Sequence, residues 1–252
     1  MSARRREMMK ELGLAPRWRQ RGRSQRSEPS PPPVQDAARA AAADDPAPQL
    51  SLDARAAQIL RMDWPQLKAS VAGCVACPLH KGRNQTVFGV GDERASWLFV
   101  GEGPGAEEDL KGEPFVGQAG RLLDNMLAAI QLKRGKDVYI ANIVKCRPPN
   151  NRAPEPLEAA QCEPYLQRQI ALIQPKLIVA LGKVAAVNLL QREASIASLR
   201  GRLHAYRGIP LIVTYHPAYL LRNLPGKAEA WVDLCFAVKT MQDLKKSSAA
   251  AT

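Results

Sequence analysis

Three stretches and a set of cysteines carry residues of types that do chemistry. The first is "FVGEGPGAEEDLKGEPFVGQAG", residues 99 to 120, in which a turn of glycines holds Glu102 and is followed at once by Glu107, Glu108 and Asp109. A glycine turn after a strand can cradle a phosphate, provided that backbone N–H groups converge on it with no negative charge nearby. Here four carboxylates crowd the turn and Pro104 removes one N–H donor. The stretch therefore offers acids instead of an anion cradle. The second stretch ends in Asn142, whose carboxamide both donates and accepts. The third brings His216 just past an apolar run; its ring can act as acid, base or neutral donor. Taken alone, Asn142 could serve only to bond backbone at a strand end, and His216 only to cap the turn before Pro217.

The cysteines make a second constellation. Cys74 and Cys77 form a CxxC pair on one turn, and Cys146 and Cys162 follow at a distance, 15 residues apart. Two close thiolates and two remote ones can complete a four-sulfur cage, for zinc or for an iron–sulfur cubane whose corners are held separately. Ligand types alone leave both open. In either case the cage ties the segment before the first strand to the second strand and its helix. The fifth, Cys235, falls on an apolar stripe with Trp231, Leu234, Val238 and Met241, and reads as core.

The elements that must hold these residues are legible as short apolar runs at 97–101, 138–144, 177–181 and 211–215, strands of the kind buried on both faces. Between them lie helical stripes: Leu122, Leu123, Met126, Leu127 and Ile130 on one, Leu166, Ile170 and Ile173 on another, and a last helix near 227–245. Alternating strands and helices with apolar strands predict a three-layer α/β/α domain around a central, mostly parallel four-stranded sheet. Ligands of such folds bind beyond the C-terminal ends of the strands. That rule gathers Glu102, Glu108, Asn142 and His216 along one edge.

The chain carries 36 Lys and Arg against 24 Asp and Glu, a formal charge of +12, which suggests a polyanionic partner. Half of that excess lies in residues 1–30. Residues 24–49 are rich in Pro, Ala and Ser without apolar period and read as a linker. The expected organisation is a basic, disordered extension and linker over 1–50, a folded domain over 51–245, and a disordered tail over 246–252. No apolar run reaches the 18 residues of a membrane span and no secretory signal core is present, so neither a membrane nor an export role is expected.

Taken together, "GCVACPLH", "VGEGPGAEEDLKGEPFVGQAG", "YIANIVKCRPPNNRAP", Cys162 and "YHPAYLLRN" resemble the family-four, iron–sulfur uracil-DNA glycosylases, from about Cys74 to Leu221. The resemblance implies a uracil-DNA glycosylase-like fold and a monofunctional DNA-repair enzyme that releases uracil and leaves an abasic site. It implies a 4Fe-4S cluster on Cys74, Cys77, Cys146 and Cys162, with zinc as the alternative. Gly103 stands where the best-known branch of the superfamily has a catalytic Asp, so water activation or cation stabilisation falls to Glu102 or Glu108, with Glu102 ranked first for its closeness to the turn. Phe115 would stack on the flipped base, Asn142 would read its Watson–Crick edge, and His216, aided by the Gly103 amide, would donate to the departing uracil. Leu220 would wedge the duplex, with Tyr219 and Leu221 as alternates, and Asn151 would face the sugar or stabilise its loop.

The implied partner is uracil-containing DNA, single- or double-stranded, met by a monomer in the cytoplasm, with a protein partner for the basic tail left open. Two rival readings are an electron-transfer protein centred on the cluster and a zinc-stabilised nucleic-acid binding module without catalysis. The first has no need of Asn142, Phe115 and His216, and the second leaves the acidic turn unexplained.

Overall fold

A computed structural model describes residues 52–250. The expected extension and linker over 1–50 lie outside the described residues. A six-stranded sheet is built from β1 (Val90–Gly91), β2 (Trp97–Gly101), β3 (Val138–Asn142), β4 (Leu177–Leu181), β5 (His204–Tyr206) and β6 (Ile209–Thr214), in the order β1-β3-β2-β4-β6-β5. The four inner strands run parallel, and they are the four apolar runs of the sequence. The sheet is wider than the expected four strands because two short antiparallel strands close its edges. β5 reaches β6 through a two-residue hairpin, Arg207 and Gly208, both at positive φ, the conformation that matches strand twist in so tight a loop.

Every residue of β2, β3 and β4 is buried, and alternate side chains enter opposite layers. Leu98, Val100, Ala141, Ile178, Ala180 and Val213 pack into one core with Leu67 and Val71 of α2 (Trp64–Ala72) and Leu166 and Ile170 of α5 (Pro156–Ile173). Trp97, Phe99, Ile140, Val179 and Ile212 pack into the other, with Leu123 and Leu127 of α4 (Gln118–Ala129) and Ala237 and Met241 of α9 (Gly226–Ala250). The remaining helices are α1 (Leu52–Ile59), α3 (Ala106–Lys111), α6 (Lys183–Leu190), α7 (Ile196–Leu199) and α8 (Pro217–Arg222).

The last helix departs from its expected face and length. Its buried side is Ala230, Leu234, Ala237 and Met241, whereas Trp231 is 47% exposed and Cys235 is also exposed. Cys235 is thus not a core residue. The helix continues to Ala250, so the first five residues of the expected 246–252 tail are helical.

Register fixes the functional edge. Gly101 pairs with Asn142 at the ends of β2 and β3, and Leu181 with Thr214 at the ends of β4 and β6. The glycine turn, Asn142 and His216 therefore leave the sheet from one side.

Candidate active site and cysteine centre

At that edge lies a cavity of about 460 Å³, lined by Glu102, Gly103, Glu108, Phe115, Asn142, Asn151 and His216. Seven of the eight site residues expected besides the cysteines are thereby brought together, and Leu220 is not. The floor is set by a close approach of three residues. A side chain at position 101 would begin only 2.5 Å from both Asn142 Oδ1 and the Phe115 ring, so glycine is required there. Asn142 is 2% exposed, and its Oδ1 is buried with no hydrogen-bond partner. Nearly all buried polar atoms are paired, so an orphan on a residue that lines a cavity marks a place for a donor from a ligand.

Phe115 is held in an unusual backbone conformation, φ 56°, which a non-glycine residue keeps only when its surroundings impose it. Arg134 supplies that support: its guanidinium donates to the carbonyls of Pro114 at 2.8 Å and Phe115 at 2.7 Å, and is itself oriented by Asp124 at 3.0 Å. On the other side, a Cβ at Gly120 would collide with the Phe115 carbonyl. Arg134 lies 19 residues past Phe115, and no pattern in the sequence points to it.

The acids of the glycine turn divide by their partners. Glu108 accepts from the backbone N–H groups of Gly105 (3.1 Å), Val116 (2.9 Å) and Gly117 (3.1 Å), and so staples the turn to the loop that carries Phe115. Asp109 is fully buried and clamps Asn84 through its backbone and side chain. Glu102 lines the cavity, and burial raises its pKa above the usual carboxylate value. Of the two acids weighed for the reaction, Glu102 is thus the one placed in the cavity without three N–H donors on it.

His216 stands at the entrance to α8 with its ring 5.4 Å from that of Phe115. The Ala218 N–H donates to its Nδ1 at 3.1 Å, so in the neutral ring the proton sits on Nε2. Burial, reinforced by the positive charge of Arg222, lowers its pKa to about 4, against a weaker upward pull from Glu108. The ring is therefore a neutral N–H donor over the physiological range. Arg222, which lines the mouth of the cavity, was not among the expected site residues.

Two further expectations meet the structure differently. Leu220 is 1% exposed and packs with Met126, Ala230 and Leu234, so it cannot enter a duplex without leaving the core. In α8, residues three apart share a face: Pro217 and Leu220 point inward, while Tyr219 (39% exposed) and Leu221 (40% exposed) point outward. Tyr219 also lines the cavity and stacks on Tyr215 at 5.0 Å. Asn151 lines the cavity too, but its Oδ1 accepts from Arg147 at 2.7 Å, which gives it a loop-holding contact.

Cys74, Cys77, Cys146 and Cys162 line one small second cavity, and none is in a disulfide. Donors aim at their sulfurs: Arg83 Nη1 at 3.0 Å and Arg55 Nη2 at 3.6 Å reach Cys146 and Cys74, and the Lys145 N–H reaches Cys162 at 3.3 Å. Burial raises the thiol pKa of Cys77 and Cys146, and that of Cys162 to about 12. Without a metal the buried cysteines are thus held as thiols, although their surroundings present positive charge and N–H groups suited to thiolates. Such a donor set fits a soft-metal centre. As they stand, among the described residues, no three metal-ligating side chains are drawn close enough to hold a single ion.

Residues 88–237 match the model of the uracil DNA glycosylase superfamily, and the chain belongs to that superfamily. Its relatives include proteins named type-4 uracil-DNA glycosylase. That of Archaeoglobus fulgidus is 48% identical over 159 residues, covering 60% of this chain and 79% of the relative. That of Thermotoga maritima is 49% identical over 155 residues (61% and 80%), and that of Pyrobaculum aerophilum 41% over 181 residues (69% and 92%).

Proposed function

We propose that the protein is a uracil-DNA glycosylase that hydrolyses the N-glycosidic bond of deoxyuridine in DNA, releasing uracil and leaving an abasic site. The observation that carries the reading is the buried, unpartnered Oδ1 of Asn142 beside the Phe115 ring. A base can be excised only after it leaves the stack. In the cavity Phe115 stacks on the flipped uracil, and the Asn142 carboxamide accepts from N3–H while donating to O4. Cytosine presents the opposite pattern there and would leave a buried pair unsatisfied, at about 1–3 kcal/mol per group.

Bond breaking sends the C1′–N1 electron pair to the base, where negative charge gathers on O2. The neutral His216 Nε2–H, with the Gly103 amide, stabilises that charge. Glu102 faces the cationic sugar, and orients the water whose oxygen bonds to C1′. The proton lost by that water balances the uracil anion. Glu108 shapes the turn without touching the sugar.

Cys74, Cys77, Cys146 and Cys162 hold a 4Fe-4S cluster in this reading. Such a centre binds chain segments together, and here it would join the loop before β1 to the end of β3 and to α5. The support is the four-sulfur cavity with its cationic surroundings, together with the similarity to type-4 enzymes. Protein purified anaerobically should be brown, with about four irons per chain; a colourless protein with stoichiometric zinc rejects the cluster. The enzyme acts as a monomer on uracil-containing DNA. The function itself is tested by incubating the iron-loaded protein with a short oligonucleotide bearing one uracil. Free uracil and an alkali-labile site, with no strand cut before alkali, are expected; intact deoxyuridine refutes the reading.

A further inference from the structure

Lys145 is 1% exposed, and nothing in the reaction described above uses it. Two of the buried carboxylates, Glu158 and Asp233, are met by arginines. The Lys145 ammonium instead donates to two neutral oxygens, the backbone carbonyl of Asn142 at 2.9 Å and Gln169 Oε1 at 2.7 Å. Burying an ammonium without a carboxylate is costly. The side chain therefore has a role that an apolar residue of the same length would not fill.

Its place in the chain suggests that role. Beyond Asn142 the backbone runs against the glycine turn, with Ile143 N–H on the Gly101 carbonyl at 2.9 Å and Val144 N–H on that of Glu102 at 3.2 Å. It then reaches Lys145, whose N–H donates to Cys162 Sγ, and Cys146. Only three residues separate Asn142 from a cysteine of the four-sulfur cavity, and the ammonium folds back across them to the Asn142 carbonyl. The second acceptor, Gln169, lies seven residues after Cys162 on α5, two turns along the same helix face. Its Nε2 is anchored on the Phe88 carbonyl at 2.9 Å. Both legs of the clamp thus start from elements that carry cysteines.

We infer that Lys145 is a positioning residue that ties the cysteine centre to base recognition, holding the Asn142 peptide at a distance set by the segment of Cys146 and the helix of Cys162. The inference rests on the reading of Asn142 as the residue that contacts the base. With Lys145 neutral and apolar, two buried oxygens lose their donor and the Asn142 carboxamide is free to tilt. A displacement of about 1 Å at such a site costs up to about 10²-fold in rate.

The test compares Lys145→Met, Gln169→Leu and Asn142→Ala as full chains. Iron content, melting temperature, duplex affinity, affinity for free uracil by calorimetry, and single-turnover excision of uracil and cytosine are measured for each. Lys145→Met should keep its iron and its duplex affinity, lose free-uracil binding, and excise uracil about 10- to 100-fold more slowly, with weaker preference over cytosine. Gln169→Leu should move the same readouts in the same direction by less. A lysine that serves only stability would lower melting temperature and iron content and leave uracil affinity and selectivity per loaded protein unchanged; that result overturns the inference. Where Lys145→Met fails to fold, unchanged uracil affinity and selectivity in Gln169→Leu overturn it equally. Asn142→Ala separates the two levels: full uracil binding and excision by that variant would overturn the base-contact reading itself.

Discussion

The cavity at the strand ends and the cysteine centre are unfinished in opposite senses. In the cavity, acceptors lack donors: Asn142 Oδ1 is buried and unpartnered, and Glu102 is a carboxylate made less acidic by burial. Around the cysteines the surplus is of donors, with two guanidiniums and a backbone N–H aimed at sulfurs, while burial holds Cys146 and Cys162 as thiols. What each region lacks is the complement of what it should hold. The first wants a neutral ligand with N–H groups and a developing cation, and the second wants positive charge at its centre to turn thiols into thiolates. The contrast also explains why two acids six residues apart part ways. Glu108 already has its three donors and belongs to the scaffold, whereas Glu102 faces the empty space.

The largest expected effects break the cavity side of this contrast. His216→Ala and Glu102→Gln should each slow single-turnover excision by about 10²-fold or more while leaving duplex binding nearly unchanged, as for loss of one preorganised donor or charge. Glu108→Gln should act chiefly on melting temperature, and a larger rate loss than that of Glu102→Gln would reverse the assignment of the two acids. The pH profile sharpens the point. Since His216 stays neutral down to about 4 and Glu102 titrates above its usual value, the acid limb of the rate should lie above 4.5 and belong to Glu102. Glu102→Gln should remove that limb and leave a residual one near 4; a limb near 6.5 that disappears in a His216 variant would contradict the neutral-donor role.

On the cysteine side, Cys146→Ser should lose iron and lower melting temperature, because Cys146 is the ligand that ties the segment after β3 to the centre. Excision per iron-loaded molecule should change little, since no sulfur lines the reaction cavity. Equal loss of rate with iron retained would place the cysteines in the chemistry. A smaller effect separates Leu220 from its neighbour. Leu220→Ala should cost about 2–5 kcal/mol of stability, as for other buried leucines, while Tyr219→Ala should leave stability nearly intact and slow extrusion of uracil from a duplex, followed by fluorescence of a base analogue beside it. A stable Leu220→Ala protein with impaired extrusion would restore leucine as the wedge.

Much of this was open to inspection in the chain itself, for identifiable reasons. The four inner strands are buried on both faces, so each is an unbroken apolar run, and the rule that ligands sit at strand ends collects Glu102, Asn142 and His216 without any fold in hand. The edge strands are two and three residues long, too short to leave a period. Leu220 stood out as the wedge because three bulky residues stand in a row in "AYLLR"; only the phase of the short helix, set by Pro217 at its start, decides that Leu220 turns inward. Trp231 and Cys235 were drawn into the core by a stripe one position out of phase with the buried one. Arg134 and Lys145 left no trace, since each grips backbone carbonyls that any residue could supply, and their side-chain partners, Asp124 and Gln169, follow no local pattern.

The base-contact role of Asn142 joins both halves of the account, and one comparison tests it most directly: single-turnover excision of uracil and of cytosine by the wild-type protein and by Asn142→Asp, both with full iron. A carboxylate cannot donate to uracil O4, yet it can accept from the cytosine amino group. The wild type should release uracil and spare cytosine, and Asn142→Asp should lose about 10²-fold or more on uracil while its preference shifts toward cytosine. Uracil release by Asn142→Asp at the wild-type rate, with cytosine still refused, would contradict the account.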